Sequence, residues 1–203
     1  TAYDNSGWNN NGTLEGATDL PTWTTTGCLS HGSCLSFDGT DDYATVSGVN
    51  VNVTANHYNT ISFWMNWNGS YIFGSSWAIP IAFSSDYDFA IENNGDFGIN
   101  TGQGDILGNK TSSYFFANSW VYVVCIMPNA APTASNSFVY INGQNVPLTP
   151  YGSSASKTVS LPLTFAQYSN SMSYGGKLSD IIIYNYAFTA AQAAALYNAT
   201  KPQ

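Results

Sequence analysis

Three carboxylates in the stretch SSDYDFAIENN, Asp86, Asp88 and Glu92, come closest to a set that could do acid–base chemistry. The two-residue alternation of a strand puts all three on one face. Glycoside hydrolysis needs a carboxylate and a protonated acid about 5 Å apart, or up to about 9.5 Å where a water attacks. Asp88 and Glu92 are four residues apart, which along a strand is about 13 Å. The set therefore reads as a solvated acidic face. Neither histidine, His31 or His57, stands in a nucleophile motif, and TGQGDILG has no Lys and no following helix to make a phosphate cradle. The chain is expected not to be an enzyme.

Other residue types suit binding. Asp38, Asp41 and Asp42 in SFDGTDDYATV form an acidic turn of hard oxygens, the donors that calcium takes six to eight at a time. The same aspartates could instead cap the turn through backbone amides. Cys28 and Cys34, with Gly27, His31 and Gly32 around them, could close a small disulfide loop; a zinc site using His31 would lack a clear fourth ligand. Cys125, inside VYVVCIM, reads as a buried thiol. Sugars pack their C–H faces on aromatic rings, and 15% of the residues are aromatic. Phe37, Phe63, Phe89, Phe97 and Phe138 alternate as core, whereas Trp67, Trp77, Tyr87, Tyr114 and Tyr151 fall at strand ends or in loops. Trp67, Trp77, Tyr87 and Tyr114, with Asp88 and Glu92, are the candidate ligand-binding residues. Tyr side chains exposed for assembly would give the same pattern.

Charge narrows the partners. Only 8% of the 203 residues are charged, there is no Arg, and the net charge is −8. Such a chain offers no footprint for nucleic acid or an anionic membrane. No apolar run reaches the eighteen residues that would suggest membrane insertion. Five N-x-S/T sequons, at Asn11, Asn52, Asn68, Asn109 and Asn198, are possible glycosylation sites and agree with export, although a sequence this rich in Asn, Ser and Thr makes sequons freely. The expected setting is extracellular, on a cell surface or a virion surface.

Short alternating segments must position these residues. CLSFDG, FDGTDDYATV, TISFWMNW, DFAIENNGDFGI and FVYINGQNV alternate around Asn-Gly and Asp-Gly turns. Residues 120–127 are apolar on both faces, as in a covered central strand. Only the end differs: Asp180 heads the strand IIIYNYAF, and Thr189 and Gln192 make a capping box for a short helix over 190–196. Turns every eight to twelve residues predict an all-β, two-sheet antiparallel β-sandwich with one short C-terminal helix, and residues 1–203 read as a single domain.

SFDGTDDYATV, TISFWMNW, NSWVYVVCIM, FVYINGQNV and GGKLSDIIIYNYAFTAAQAAALYN, in that order, resemble the laminin-G-like, concanavalin A-like jelly-roll family. The resemblance implies a jelly roll whose members include lectins, carbohydrate-binding modules, adhesion domains and structural domains. It implies a structural calcium joining the N-terminal loop, the turn after the first strand and an Asp opening the last strand, which Asp4, residues 38–41 (Asp38, Gly39 and Asp41) and Asp180 match. Related glycosidases carry Glu-x-Asp-x-(x)-Glu on one strand, and this chain has Glu at only one of those positions. The expected function is a noncatalytic carbohydrate-binding or adhesion domain stabilised by calcium, whose partner is a glycan or surface polymer. The other reading is a structural subunit of a surface layer, extracellular filament or virion, self-assembling or packing on other surface proteins through Tyr/Asn-rich faces.

Overall fold

Alternation between apolar and polar residues turns into strands throughout the computed structural model, which describes residues 1–29, 32–70, 77–84, 86–94, 96–101, 104–110, 117–152, 155–168 and 172–202. In chain order the strands are β1 (Thr13–Glu15), β2 (Thr22–Thr24), β3 (Cys34–Asp38), β4 (Tyr43–Val46) and β5 (Tyr58–Trp67). Then come β6 (Trp77–Phe83), β7 (Tyr87–Glu92), β8 (Asp96–Asn100), β9 (Gly104–Lys110) and β10 (Trp120–Pro128). The last are β11 (Phe138–Ile141), β12 (Gln144–Val146), β13 (Thr149–Gly152), β14 (Leu163–Phe165) and β15 (Gly175–Tyr184), followed by helix α1 (Ala190–Thr200).

The strands form two antiparallel sheets, an eight-stranded one in the order β1-β4-β14-β6-β7-β8-β9-β13 and a seven-stranded one in the order β12-β11-β10-β5-β15-β3-β2. Leu35, Phe37, Ile61, Phe63 and Val123 from one sheet meet Ile81, Phe83, Phe89, Ile91 and Phe97 from the other in a shared buried core. Its rings interlock, with Phe89 centroids 6.4 Å from both Phe63 and Phe83 and the latter pair edge-on. The double-sided apolar run becomes β10, held between β5 and β11. Asn142 and Gly143 turn the β11–β12 hairpin with φ of 51° and 78°, the left-handed pair that a two-residue hairpin needs. The closing strand β15 lies between β3 and β5, so a late segment of the chain is inserted between two early strands.

The outer side of the seven-stranded sheet departs from the alternation reading. Ser62 and Trp64 of β5 point away from the core, as half-buried outward positions should, yet Trp64 is only 2% exposed and Ser62 fully buried. Helix α1 explains this. Trp64 packs on Tyr122 and on the helix's Tyr197 at centroid distances of 5.0 and 6.0 Å, and donates from Nε1 to Thr200 Oγ1 at 3.2 Å. Phe138 joins this second cluster and not the central core. The helix starts where the capping box places it: the Gln192 amide donates to Thr189 Oγ1 at 3.2 Å and the Thr189 amide to Gln192 Oε1 at 2.8 Å. Replacing Thr189 with Ala should cost about 1 kcal/mol of unfolding free energy, read from urea denaturation followed by tryptophan fluorescence.

Candidate functional site

With the helix on one outer face, the outward face of the eight-stranded sheet is where side chains from many strands can converge. Cross-strand pairing runs from Thr13 to Thr45, Thr164, Ala82, Asp88 and Asn100, a row crossing six strands on the side away from the core. Trp77 of β6 pairs with Glu92 of β7, and Ala90 with Gly98. A bulge between Ala78 and Ile81, at Pro80, keeps Ile79 and Ala82 on this face, where they and Ala90 lie buried under Trp77, Tyr168 and Met172.

Polar groups are seated among these apolar ones. Asp88 is 1% exposed and accepts from Asn100 Nδ2 at 3.0 Å. Glu92 accepts from Asn94 Nδ2 at 2.9 Å. Farther along the face, Glu15 accepts from the Tyr43 hydroxyl at 2.9 Å and from Thr45 Oγ1 at 2.6 Å, an arrangement that raises the Tyr43 pKa. Burial, then the fields of Asp88 and Asp86, raises the pKa of Tyr168, so its phenol stays a hydrogen-bond donor at neutral pH. Acceptors, an amide and rings together suit hydroxyl-rich ligands. Asp88 and Glu92 stand on alternate outward positions of β7 with Ala90 between them, which on a strand is a spacing of about 13 Å.

Not every expected ligand-binding residue is here. Trp67 ends β5 in the other sheet, packs partly against the core and donates to the Ser70 carbonyl at 3.1 Å. Tyr87 is fully buried: alternation points it into the core, and its hydroxyl donates to the Pro128 carbonyl at 2.5 Å. It cannot be a binding platform. Tyr114 and His31 lie outside the described residues, as does the Asn109 side chain. Asp86 precedes β7 and engages Lys157 and Ser160. Sequence reading missed Asn100, Tyr168 and Met172. Counting both arms of the β7–β8 hairpin back from Asn94 would have set Asn100 opposite Asp88; nothing local marks Tyr168 or Met172.

A separate acidic cluster joins the β1–β2 connection to the β3–β4 turn. Carboxylate oxygens of Asp19, Asp38 and Asp41 all lie within 4.8 Å of one another. Asp42, 4% exposed, sits beside them; burial, and then the charges of Asp38, Asp19 and Asp41, raise its pKa. One oxygen of each turn carboxylate is engaged locally: Asp38 Oδ1 by the Thr40 amide, Asp41 Oδ2 by the Thr18 amide and hydroxyl, and Asp42 Oδ2 by the Asp38 amide. Asp41 Oδ1 and Asp42 Oδ1 are buried without a hydrogen-bond partner. These orphaned oxygens and their hard-donor chemistry fit a divalent cation such as calcium.

Two of the residues expected to share a calcium site lie away from this cluster. Asp4 lies in its own loop, where its carboxylate accepts from the Ser6 amide and hydroxyl and the Asn10 amide, which lower its pKa. Asp180 does not head the closing strand. β15 starts at Gly175, opposite Asp38, and Asp180 follows five residues later, about 16 Å on along a strand. There it is exposed at a bulge with φ of 50°. What meets the 38–41 turn is instead Asp19 of the β1–β2 connection and Gly175 at the head of β15. Gly39 has φ of 86° in this turn, and a Cβ there would fall 2.9 Å from the Gly175 Cα.

Cys28 and Cys34 form a disulfide, and Cys125 is free and buried. Asn11, Asn68 and Asn198 are exposed, while Asn52 is partly buried and its Nδ2 donates to the Asn185 carbonyl at 3.2 Å. No described helix is long and apolar enough to cross a membrane.

Residues 38–194 match the family model Laminin_G_3, described as the concanavalin A-like lectin/glucanases superfamily. The chain belongs to that superfamily. Comparison with curated proteins gives no match. Among solved structures, the receptor-binding domain of botulinum neurotoxin C/D mosaic serotype superposes with a TM-score of 0.67 at 14% identity, over 98% of this chain and 48% of that one. The binding domain of botulinum neurotoxin DC, in complex with rat synaptotagmin II, gives 0.66 at 17%, over 98% and 49%. Domain 4 of AbnA, an extracellular GH43 arabinanase from Geobacillus stearothermophilus, in complex with arabinotriose, gives 0.57 at 15%, over 92% and 88%. At these identities the likeness is one of fold, and the chain spans about half the length of the toxin domains.

Because Tyr87 serves packing, Tyr87→Phe should lower stability by about 1–2 kcal/mol through the lost buried hydrogen bond. Denaturant unfolding reads the loss.

Proposed function

We propose that this superfamily member is a noncatalytic, extracellular carbohydrate-binding domain whose ligand lies on the outward face of the eight-stranded sheet. The observation that carries the reading is the placement of Asp88, Asn100 and Glu92 beside Trp77 and Tyr168 on that face. Sugar hydroxyls would pair with the carboxylates and the amide, and a pyranose or furanose face would pack on the indole. The arabinotriose complex of AbnA domain 4 supports a saccharide ligand for this fold, and the wide spacing of Asp88 and Glu92 supports binding without hydrolysis. Trp77→Ala and Asp88→Asn should each weaken binding on a glycan array and in titration calorimetry about ten-fold or more, with unchanged far-UV circular dichroism. Full retention by both variants would refute this placement.

Calcium is part of the same proposal. Asp19, Asp38, Asp41 and Asp42 would hold it, and it would offset the mutual repulsion of four carboxylates at the junction of the β1–β2 connection, the β3–β4 turn and the head of β15. Without the ion, the raised pKa of Asp42 makes its contribution to stability greatest at acid pH, and that contribution is lost as pH rises through the folded-state value. Calcium should therefore raise the melting temperature at pH 7 but not at a pH where Asp42 is protonated. Asp42→Asn should stabilise the calcium-free protein at pH 7 and blunt the calcium response; differential scanning calorimetry with calcium or EDTA measures both.

A structural subunit is the second reading, favoured by Tyr3, Trp8, Trp23, Tyr151 and Tyr186, all about half exposed or more. Light scattering separates the two, since concentration-dependent assembly would support the subunit reading and a stable monomer would oppose it.

A further inference from the structure

A cleft of about 700 Å³ lies between the β4–β5 connection, the β6–β7 turn and the β13–β14 connection. It is apart from the face that holds Trp77 and Asp88. Its lining mixes aliphatic and polar groups: Val51 and Leu161 are half-buried, Val53 is exposed at the mouth, and Val159 anchors the floor in the core. The volume falls within the range of small-molecule sites. Backbone anchors fix one wall, with the Lys157 amide donating to the Ala130 carbonyl at 3.1 Å and the Val159 amide to Asn129 Oδ1 at 3.0 Å.

One end of the cleft is polar. Lys157, one of four lysines in a chain without Arg, places Nζ 3.8 Å from Asp86 Oδ1, and its side chain is only 16% exposed. Ser160 Oγ donates to Asp86 Oδ2. The ammonium–carboxylate separation is beyond hydrogen-bond range, so each group can still engage a ligand hydroxyl. Both side chains are partly exposed, so each still presents polar atoms toward the cleft. The ligand's chemistry follows from the charges. A carboxylated ligand would meet Asp86 and a net charge of −8, an ammonium could pair with Asp86 only by displacing Lys157, and an apolar molecule would desolvate both with no return.

We propose that this cleft binds a neutral polyhydroxyl ligand, the terminal residue of a saccharide. A vicinal diol bridges the pair, one hydroxyl accepting from Lys157 and its neighbour donating to Asp86, while the C–H face of the ring packs on Val51 and Val53.

The test is amide-resolved NMR titration of the full chain with the methyl glycosides of glucose, galactose, mannose and arabinose, and with glucuronic acid. At least one neutral glycoside should shift the amides of residues 157–160. Lys157→Met should weaken that binding about ten-fold or more through loss of a charged hydrogen bond. Val53→Trp, at an exposed position where folding is undisturbed, should block the mouth and abolish it. The proposal is overturned if no neutral glycoside shifts these amides, if shifts confine themselves to Trp77, Asp88 and Asn100, if glucuronic acid binds as well, or if Val53→Trp binds like the parent.

Discussion

Each sheet has two faces, and only one of them can be buried against the other sheet. That geometric constraint organises this molecule. Phe63, Phe83, Phe89 and Phe97 fill the inter-sheet layer, and burying each is worth about 1.5–3 kcal/mol. The seven-stranded sheet still carries Trp64, Tyr122 and Val124 on its outer side, which solvent alone would leave as a large apolar patch. The C-terminal helix covers them. The outward face of the eight-stranded sheet is finished differently, with acids, amides and hydroxyls among a few rings, so the two outer faces are chemically unlike and the proposed binding side is the polar one.

A chain with so few charges places them selectively. Glu15 is held by Tyr43 and Thr45, Asp88 by Asn100, and Asp86 by Lys157 and Ser160. Desolvating a carboxylate without such partners costs more than most single contacts return. Asp41 and Asp42 each leave one buried oxygen without a hydrogen bond. Those oxygens, close to Asp19 and Asp38, are what the proposed cation would bind, whereas Asp4 is saturated by its own loop.

Short-range rules made much of the fold legible. The Asn142-Gly143 hairpin, the Thr189 capping box, the buried run 120–127 and the Cys28–Cys34 loop depend on neighbours within a few residues, and the sequence carries those neighbours in plain view. Alternation likewise set Asp88 and Glu92 on one face. Strand-end position misled for Tyr87, which alternation turns into the core, and for Asp180, because the closing strand begins before its apolar run does.

By itself, then, the sequence determined an antiparallel sandwich with one capped helix, a charge-poor surface suited to neutral partners, and an acidic turn at residues 38–42. Only the tertiary structure decided which residues meet. Asp19 reaches Asp41 across the β1–β2 connection, Tyr168 and Met172 fold over β6 and β7, and Lys157 closes on Asp86 from 71 positions away. Local patterns fix which way a side chain points, but cross-strand and loop-to-loop contacts arise from how whole strands are ordered in two sheets. No short window of sequence encodes that order.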